Sequence, residues 1–235
     1  MTETKRPYDA RRRRQRAEQE REATRRRVVE AARHLFLERG YVATTMADIA
    51  RTAGVALQSV YSSAAGKAEL LHLVTDMVVA GDDQDVMLLE RPRFRAIADE
   101  PSPQRQIELI ATLIVETLER LAPLWVAYRE AAAVDAKVAT DLAATHRRRL
   151  DTFRGMIRMI PEHQLRRSHD DSADAAWAIG SVDVFLLMRT VLEWDADRYA
   201  EWLHRTLADQ LLAPISGPAD GQAAGDGAQP KNWPQ

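Results

Sequence analysis

Helical periodicity is the feature that most constrains this fold, because apolar residues recur three to four positions apart along nearly the whole 235-residue chain. No segment alternates polar and apolar residues over several positions. No Asn-Gly or Asp-Gly pair lies between β-branched runs, so hairpins are not expected. The sequence therefore predicts an all-α protein of about nine helices.

Capping residues, prolines and glycines give the approximate ends of these helices. Thr45 with Asp48 and Ser168 with Asp171 match the capping-box pattern, and Asp195 is a further N-cap. The predicted helices cover about residues 24–38, 46–52, 57–63, 67–89, 103–121, 123–134, 135–160, 168–192 and 196–212. Residues 214–235 are rich in proline and glycine and poor in apolar residues, which predicts a disordered tail.

Composition excludes several classes of protein. The chain contains no cysteine, which removes disulfides, thiolate metal sites and thiol nucleophiles. Its longest apolar stretches fall far short of the roughly 20 residues that a bilayer span needs. The N-terminal residues lack the apolar region of a secretory signal. We therefore expect a cytoplasmic protein with no membrane partner.

The net charge of −2 is an average over two unlike regions. Residues 1–70 carry 15 Lys or Arg and 9 Asp or Glu, whereas the remaining 165 residues carry 18 and 26. A basic N-terminal region on an acidic body indicates that one end meets a polyanion.

The segment TTMADIARTAGVALQSVYSSAAGK predicts a helix-turn-helix, in which two short helices meet at a tight turn through Gly54. The second helix of such a motif enters the major groove of DNA. Leu57, Gln58, Ser59 and Ser62 are predicted on its outer face. Gln58 is the strongest candidate base reader, since its amide matches the N6 and N7 edge of adenine.

Residues Val28 to Leu73 resemble the DNA-binding region of the TetR family of bacterial transcriptional regulators. The resemblance lies in the helix VVEAARHLFLERGY, the start TTMADIA, the turn AGV, and a VY pair followed by GK before a long helix. The segments DSADAAWAIGSVDVFLLM and WDADRYAEWLHRTLADQLL are similar to the last two helices of one TetR subgroup. Two departures are Ala56, where the family often has serine, and Ser63-Ala64, where it has His-Phe.

The resemblance implies a homodimeric repressor that binds double-stranded DNA through this motif. It also implies a helical ligand-binding and dimerisation domain, and phosphate contacts from Thr45, Tyr61 and Lys67. The predicted organisation is a basic, flexible arm at 1–23, a DNA-binding domain at 24–66, a ligand-binding and dimerisation domain at 67–213 and the tail. The predicted ligand is a small, partly apolar molecule.

The basic arm has two interpretations. It holds Arg11, Arg12, Arg13 and Arg14, and eleven basic residues lie between Lys5 and Arg27. In one interpretation the arm lies along phosphates or enters the minor groove. In the other it is a solvated, frayed helix in which Arg14 pairs with Glu18 and Arg16 with Glu20.

The predicted ligand site and dimer interface lie in the body. Candidate cavity residues are aromatic or polar side chains at helical spacing, each of which equally suits core or surface packing. They are Trp125, Tyr128, Arg129, His146, Phe153, Trp177, Phe185 and Met188. Apolar stripes at 186–191 and at Leu203, Leu207 and Leu211 suit either a dimer interface or intramolecular packing.

Catalytic and metal motifs are missing from the sequence. It has no His-Glu-x-x-His, no Walker loop, no dinucleotide glycine pattern and no Gly-x-Ser-x-Gly. We therefore predict no metal, no cofactor and no enzymatic activity. The function predicted is a dimeric repressor released from a pseudo-palindromic operator by a ligand. The alternatives are a constitutive DNA-binding regulator without a ligand and an all-α enzyme.

Overall fold

The computed structural model describes residues 7–81 and 90–214. Within these ranges the chain forms ten α-helices. They are α1 (Pro7–Ala43), α2 (Met46–Ala53), α3 (Leu57–Ser63), α4 (Lys67–Ala80), α5 (Pro92–Asp99), α6 (Pro103–Val134), α7 (Ala136–Ile157), α8 (His169–Ile179), α9 (Val182–Thr190) and α10 (Ala196–Leu211). The predicted all-α fold class is confirmed. Residues 215–235 of the predicted tail and residues 82–89 of the predicted fourth helix lie outside the described residues.

The first helix is much longer than the sequence pattern predicts. It begins at Pro7 rather than near Thr24, so residues 7–23 of the predicted arm are helical. Good helix formers dominate this segment, and Arg16 Nε pairs with Glu20 Oε1 at 3.0 Å across one turn. Hydrophobic periodicity misses such a helix, because a helix that is polar all round has no apolar stripe.

The predicted helix boundary at Pro123 and the predicted continuous helix through Gly180 are both wrong. A single helix, α6, continues through Pro123, where burial of its neighbours in the core offsets the lost backbone hydrogen bond. The predicted eighth helix is instead divided into α8 and α9 at Gly180. A Cβ at Gly180 would lie 3.3 Å from the Ile114 side chain, so this glycine permits close packing of α6 against the α8–α9 junction.

The short helix α5 has no counterpart among the predicted helices. In the sequence, Pro92 predicts the end of a helix. In the structure, Pro92 occupies the first turn of α5, where its missing N–H is not needed. Phe94 and Ile97 bury the inner face of α5 with no more than 2% of their surface exposed.

A single hydrophobic core joins the whole described structure. Buried apolar residues from Val28 to Leu212 form one continuous cluster, at whose centre α6 packs against α1, α4, α5, α7, α9 and α10. We call α1–α3 the head and α4–α10 the body. In the head, Ile49 of α2 and Val60 of α3 are fully buried and fix the two helices against α1. A head that shares its core with the body is mechanically coupled to it.

The two apolar stripes considered for a dimer interface differ in burial. Leu203, Leu207 and Leu211 of α10 are at most 1% exposed and pack inside the chain. On and just after α9, Leu187 and Val191 are 56% and 65% exposed. Of these two stripes, the one on α9 is available to a second copy of the chain. In the part of the chain that the structure describes, no helix has the length and apolar content to cross a membrane.

Candidate nucleic-acid interface and ligand cavity

The predicted capping box at the start of α2 is confirmed. Thr45 Oγ1 accepts a hydrogen bond from the Asp48 N–H at 3.1 Å, and Asp48 Oδ2 accepts one from the Thr45 N–H at 3.2 Å. Hydrogen bonds from Thr45 and an ion pair with Arg51 hold the pKa of Asp48 below its ordinary value. The Thr45 hydroxyl, which the family resemblance assigns to phosphate, also donates to Asp48 Oδ2 at 2.6 Å. Its first role in this structure is therefore to start α2.

The turn between α2 and α3 depends on Gly54. Its φ of 64° lies in the left-handed region, which a residue without Cβ adopts at little cost. Its N–H bonds to the Ala50 and Arg51 carbonyls and so closes the C-terminus of α2. The chain then enters α3 through Ala56, which provides no side-chain cap. The angle between the two helices is consequently set by the turn and by the buried apolar wedge.

The outer face of α3 carries the side chains that the sequence places there. Leu57, Gln58, Tyr61 and Ser62 are exposed, and Ser59 is half-buried. Ser62 Oγ donates to the Gln58 carbonyl at 2.9 Å, so its hydrogen is used within the helix. The amide of Gln58 and the phenol of Tyr61, which is 47% exposed, are polar groups that this face presents to solvent.

Lys67 has a structural role that the sequence did not indicate. Its Nζ donates to the Tyr41 and Thr44 carbonyls at 2.7 and 2.9 Å and approaches the Val42 carbonyl at 3.4 Å. It also lies 4.2 Å from the centre of the Tyr41 ring, a cation–π contact. Partial burial lowers the pKa of Lys67. The ammonium thus binds the C-terminal end of α1, and a phosphate contact would have to compete with these carbonyls.

Tyr41 continues this contact into the body. Its hydroxyl donates to Asp135 Oδ2 at 2.8 Å, while Asp135 Oδ1 accepts the Lys137 N–H and so caps α7. Burial and this hydrogen bond raise the pKa of Tyr41, and the same bond lowers the pKa of Asp135. Lys67, Tyr41 and Asp135 therefore form a continuous polar link from the start of α4 to the start of α7.

The N-terminal part of α1 runs beside the helix-turn-helix. A groove of about 1040 Å³ separates residues 17–25 of α1 from Ser59, Ser62 and Ser63 of α3. Arg11, Arg12, Arg13 and Arg14 are exposed on the turns of α1 that precede this groove. The described part of the arm is thus helical beside α3, with the Arg16–Glu20 pair that the solvated-helix interpretation expects.

A cavity of about 1090 Å³ lies between the head and the body. Its walls come from α1, α4, α5, α6 and α7 and from the junction of α8 and α9. Of the predicted ligand residues, Trp125 and Phe153 line it. Most of the remaining wall is apolar and is supplied by side chains such as Leu73, Met77 and Phe94.

The other predicted ligand residues do not line this cavity. Tyr128 is fully buried and its hydroxyl donates to Asp141. Arg129 forms an exposed ion pair with Asp183, with Nη1 and Oδ1 2.9 Å apart. Phe185 packs edge-on against a tyrosine of α10, and Met188 is half-buried in the core.

His146 and Trp177 form an aromatic cluster around Trp125. The ring of His146 lies 5.3 Å from that of Trp125 and 6.1 Å from that of Trp177. Burial and the neighbouring Arg149 lower the pKa of His146. These rings therefore stand behind the cavity wall rather than in it.

Sequence reasoning missed Arg149, which lines the cavity. Its Nη2 donates to the carbonyls of Trp177 and Gly180, each at 2.7 Å, and its guanidinium lies 4.8 Å from the centre of the Phe153 ring. A signal was present, because Thr145, Arg149 and Phe153 are spaced by four and share one face of α7. The run Arg147–Arg149 obscured this pattern, because consecutive arginines usually indicate a solvated surface.

The described helices define a helix-turn-helix protein with a larger helical body. Residues 28–74 match the family model described as bacterial regulatory proteins, tetR family. Over 61 residues the chain is 41% identical to the HTH-type transcriptional regulator TtgR of Pseudomonas putida. The helix-turn-helix region of the chain is therefore similar to that of the TetR family.

The aligned segment with TtgR covers 26% of this chain and 29% of the relative, so the chain matches well under two thirds of that protein's length. Solved structures extend the likeness in fold to the body. The SmeT–triclosan complex is similar with a TM-score of 0.62 and 19% identity, covering 91% of this chain and 100% of that one. NalD of Pseudomonas aeruginosa, the secondary repressor of the MexAB-OprM multidrug efflux pump, has a TM-score of 0.59 and 21% identity, covering 81% and 97%.

Proposed function

We propose that the protein is a dimeric transcriptional repressor that holds an operator through α3 and releases it when a small molecule occupies the cavity. The observation that carries this proposal is the outer face of α3. A short helix anchored by Val60 presents Gln58 and Tyr61 to solvent beside a turn that keeps it clear of α2. Such a helix fits the major groove, where an amide reads adenine and a phenol reaches phosphate.

The arm supplies affinity rather than sequence preference in this proposal. Arg11 to Arg14 project from the helix that runs beside α3, so they meet the phosphates next to the site that α3 reads. Each phosphate contact makes binding more dependent on salt, because condensed cations are released from the DNA.

The dimer forms through the α9 face. Leu187, Val191 and Leu192 are each about half or more exposed, and such adjacent apolar side chains favour burial against a second copy. A two-fold dimer presents two α3 helices to a pseudo-palindrome whose half-sites lie roughly 34 Å apart. The natural test is sedimentation of the variant L187E/V191E, which is expected to be monomeric.

Release follows from the position of the cavity. Val29 of α1, Met77 of α4 and Phe153 of α7 all line it, so an occupant touches the head and the body together. A ligand that binds better when these helices have moved apart shifts the population towards a conformer whose half-site spacing no longer fits. SmeT has been solved in complex with triclosan, which supports a small-molecule ligand for a protein of this fold.

The experiment is a gel-shift titration with DNA from upstream of the gene that encodes the chain, at several salt concentrations. The proposal predicts a shift that survives excess unrelated DNA and is reversed by a cavity ligand. A shift that no ligand reverses would indicate a constitutive regulator. No sequence-specific shift at any salt concentration would refute the repressor function.

A further inference from the structure

The cavity has a cationic group in its wall, Arg149, that forms no direct ion pair within the described residues, although the charge of Asp183 favours its protonated form. Arg149 is partly buried, and in residues 7–81 and 90–214 no carboxylate oxygen lies within 4 Å of its nitrogens. Burial lowers the pKa of Arg149 to about 10, so it stays charged at neutral pH. An unpaired charge in a partly buried site is unfavourable, and an anionic ligand relieves it.

Three other cavity arginines differ from Arg149 in having acidic partners. Arg93 Nη1 lies 2.8 Å from Glu116 Oε2, and Arg148 Nη2 lies 3.8 Å from Asp141 Oδ1. Arg26 likewise pairs with a glutamate of its own helix. Six arginines and two carboxylates line the cavity in all. Arginines outnumber carboxylates in the cavity lining, and Arg149 differs from these three arginines in having no direct ion pair in the described residues.

Two buried polar groups without hydrogen-bond partners in the described residues lie near Arg149, one in the cavity wall and one behind it. Trp125 lines the cavity with 2% of its surface exposed, and its indole N–H has no partner within the described ranges. His146 Nδ1, beside Trp125, is also buried without a partner there. A buried polar group without a partner costs about 1–3 kcal/mol, so such a group in a native protein is expected to bond a water, an ion or a ligand.

A purely structural role for Arg149 accounts for only part of this geometry. Its two bonds to the carbonyls of Trp177 and Gly180 close the C-terminal end of α8. Both bonds come from Nη2, whereas a guanidinium has five N–H donors arranged as a fork. The three donors that remain, one on Nε and two on Nη1, can each donate a single hydrogen bond to a carboxylate oxygen.

We propose that the cavity binds an amphipathic carboxylate, with its anionic group on Arg149 and its apolar body against Trp125, Phe153 and Phe94. This inference rests on the proposed function, because it names the chemical class of the ligand for that same cavity. The rings of Phe153 and Trp177 hold the guanidinium at 4.8 and 5.3 Å from their centres, so it is positioned before the ligand arrives.

The test compares two carboxylates with their uncharged amides on the purified full-length protein without DNA. The probes are 2-naphthoate with 2-naphthamide and decanoate with decanamide, and quenching of tryptophan fluorescence reports the Kd. We expect at least one carboxylate to bind about tenfold or more tightly than its amide. The variant R149Q should lose this preference, whereas R149K should keep part of it because the charge remains.

Arg148 provides the matched control, since it lines the same cavity but is exposed and paired with Asp141. The variant R148Q should keep the preference for carboxylate. A solely structural Arg149 would weaken carboxylate and amide alike in R149Q, and that result would overturn the proposal. Equal binding of both members of each pair to the wild type, or no binding of either carboxylate in the millimolar range, would overturn it too.

The outcome is separable from that of the repressor proposal. A preference for carboxylate that depends on Arg149, in a protein that shifts no DNA, would support the site and refute the repressor. A sequence-specific shift of DNA together with no preference for carboxylate would support the repressor and refute the carboxylate site.

Discussion

The head and the body use arginine in opposite ways. On α1, arginines are exposed and pair with glutamates one turn away, as Arg16 does with Glu20. In the body, Arg149 is partly buried in a cavity wall among aromatic rings and has no carboxylate partner within the described residues. Exposed arginines attract a polyanion along its length, whereas a fixed and unpaired guanidinium selects one anionic group. Burial and pairing, rather than residue type, therefore decide which kind of anion an arginine of this chain suits.

The largest expected effect comes from breaking the head while leaving the body intact. Ile49 is fully buried and anchors α2, so I49A should lower the free energy of unfolding by about 2–4 kcal/mol. We expect hydrogen exchange to increase in α1–α3 and operator binding to be lost. Binding of 2-naphthoate should be weakened less than operator binding, because α2 and α3 do not line the cavity. L203A truncates an equally buried residue of α10. It should weaken 2-naphthoate binding more than operator binding.

Substitution of Lys67 is expected to have the next largest effect. It tests whether the ammonium stabilises the end of α1 or binds a phosphate. K67M removes an ammonium that binds carbonyls of α1, which should cost about 1.5–3 kcal/mol of stability in the head. DNA affinity should fall while the slope of log K against log salt stays unchanged. R14Q, which removes a charge from the proposed arm, should instead reduce that slope by about 0.9. A similar reduction in K67M would show that Lys67 binds phosphate directly.

Gln58 tests whether α3 reads bases. Q58A should cost about 1–3 kcal/mol on the preferred operator and almost nothing on unrelated DNA, because a base reader contributes only at its own base pair. Competition binding with operators substituted one position at a time measures this. S62A is the control, since its hydroxyl hydrogen already bonds the Gln58 carbonyl. An equal loss of affinity for all DNA sequences would show that Gln58 does not read a base.

The link between head and body gives the smallest effect. Y41F removes the hydrogen bond to Asp135 and should cost about 0.5–1.5 kcal/mol at neutral pH. This bond lowers the pKa of Asp135 below its ordinary value of 3.8, so its contribution is present above that pH and is lost as the pH falls through the lowered value. Urea unfolding of wild type and Y41F should therefore converge in acid. Y61F, on the exposed face of α3, should match the wild type throughout.

The head was predictable from the sequence because its signals are local. Thr45, Asp48 and Gly54 are few residues apart, and each has a defined job at a helix end that its residue type reveals. The resemblance to the TetR family adds the arrangement of these helices. Lys67 shows the limit, since its carbonyl partners lie 23 to 26 residues away along the chain.

The body was predictable as helices but not as a site. Tyr128 and Arg149 both sit at helical spacing among apolar residues, and only packing decides that the first bonds Asp141 while the second lines a cavity. The division at Gly180 likewise depends on how closely α6 approaches, which no local pattern records. Long-range contacts of this kind determine cavity walls, and the sequence alone does not contain them in readable form.

The central claim is that α3 of a dimer reads a two-fold operator, and selection of bound sequences from a random DNA pool tests it most directly. We expect enrichment of a pseudo-palindrome whose half-sites lie one helical turn apart, and loss of that enrichment in I49A. A pool that remains unenriched with the wild-type protein at low salt, or a single half-site without symmetry, would contradict it.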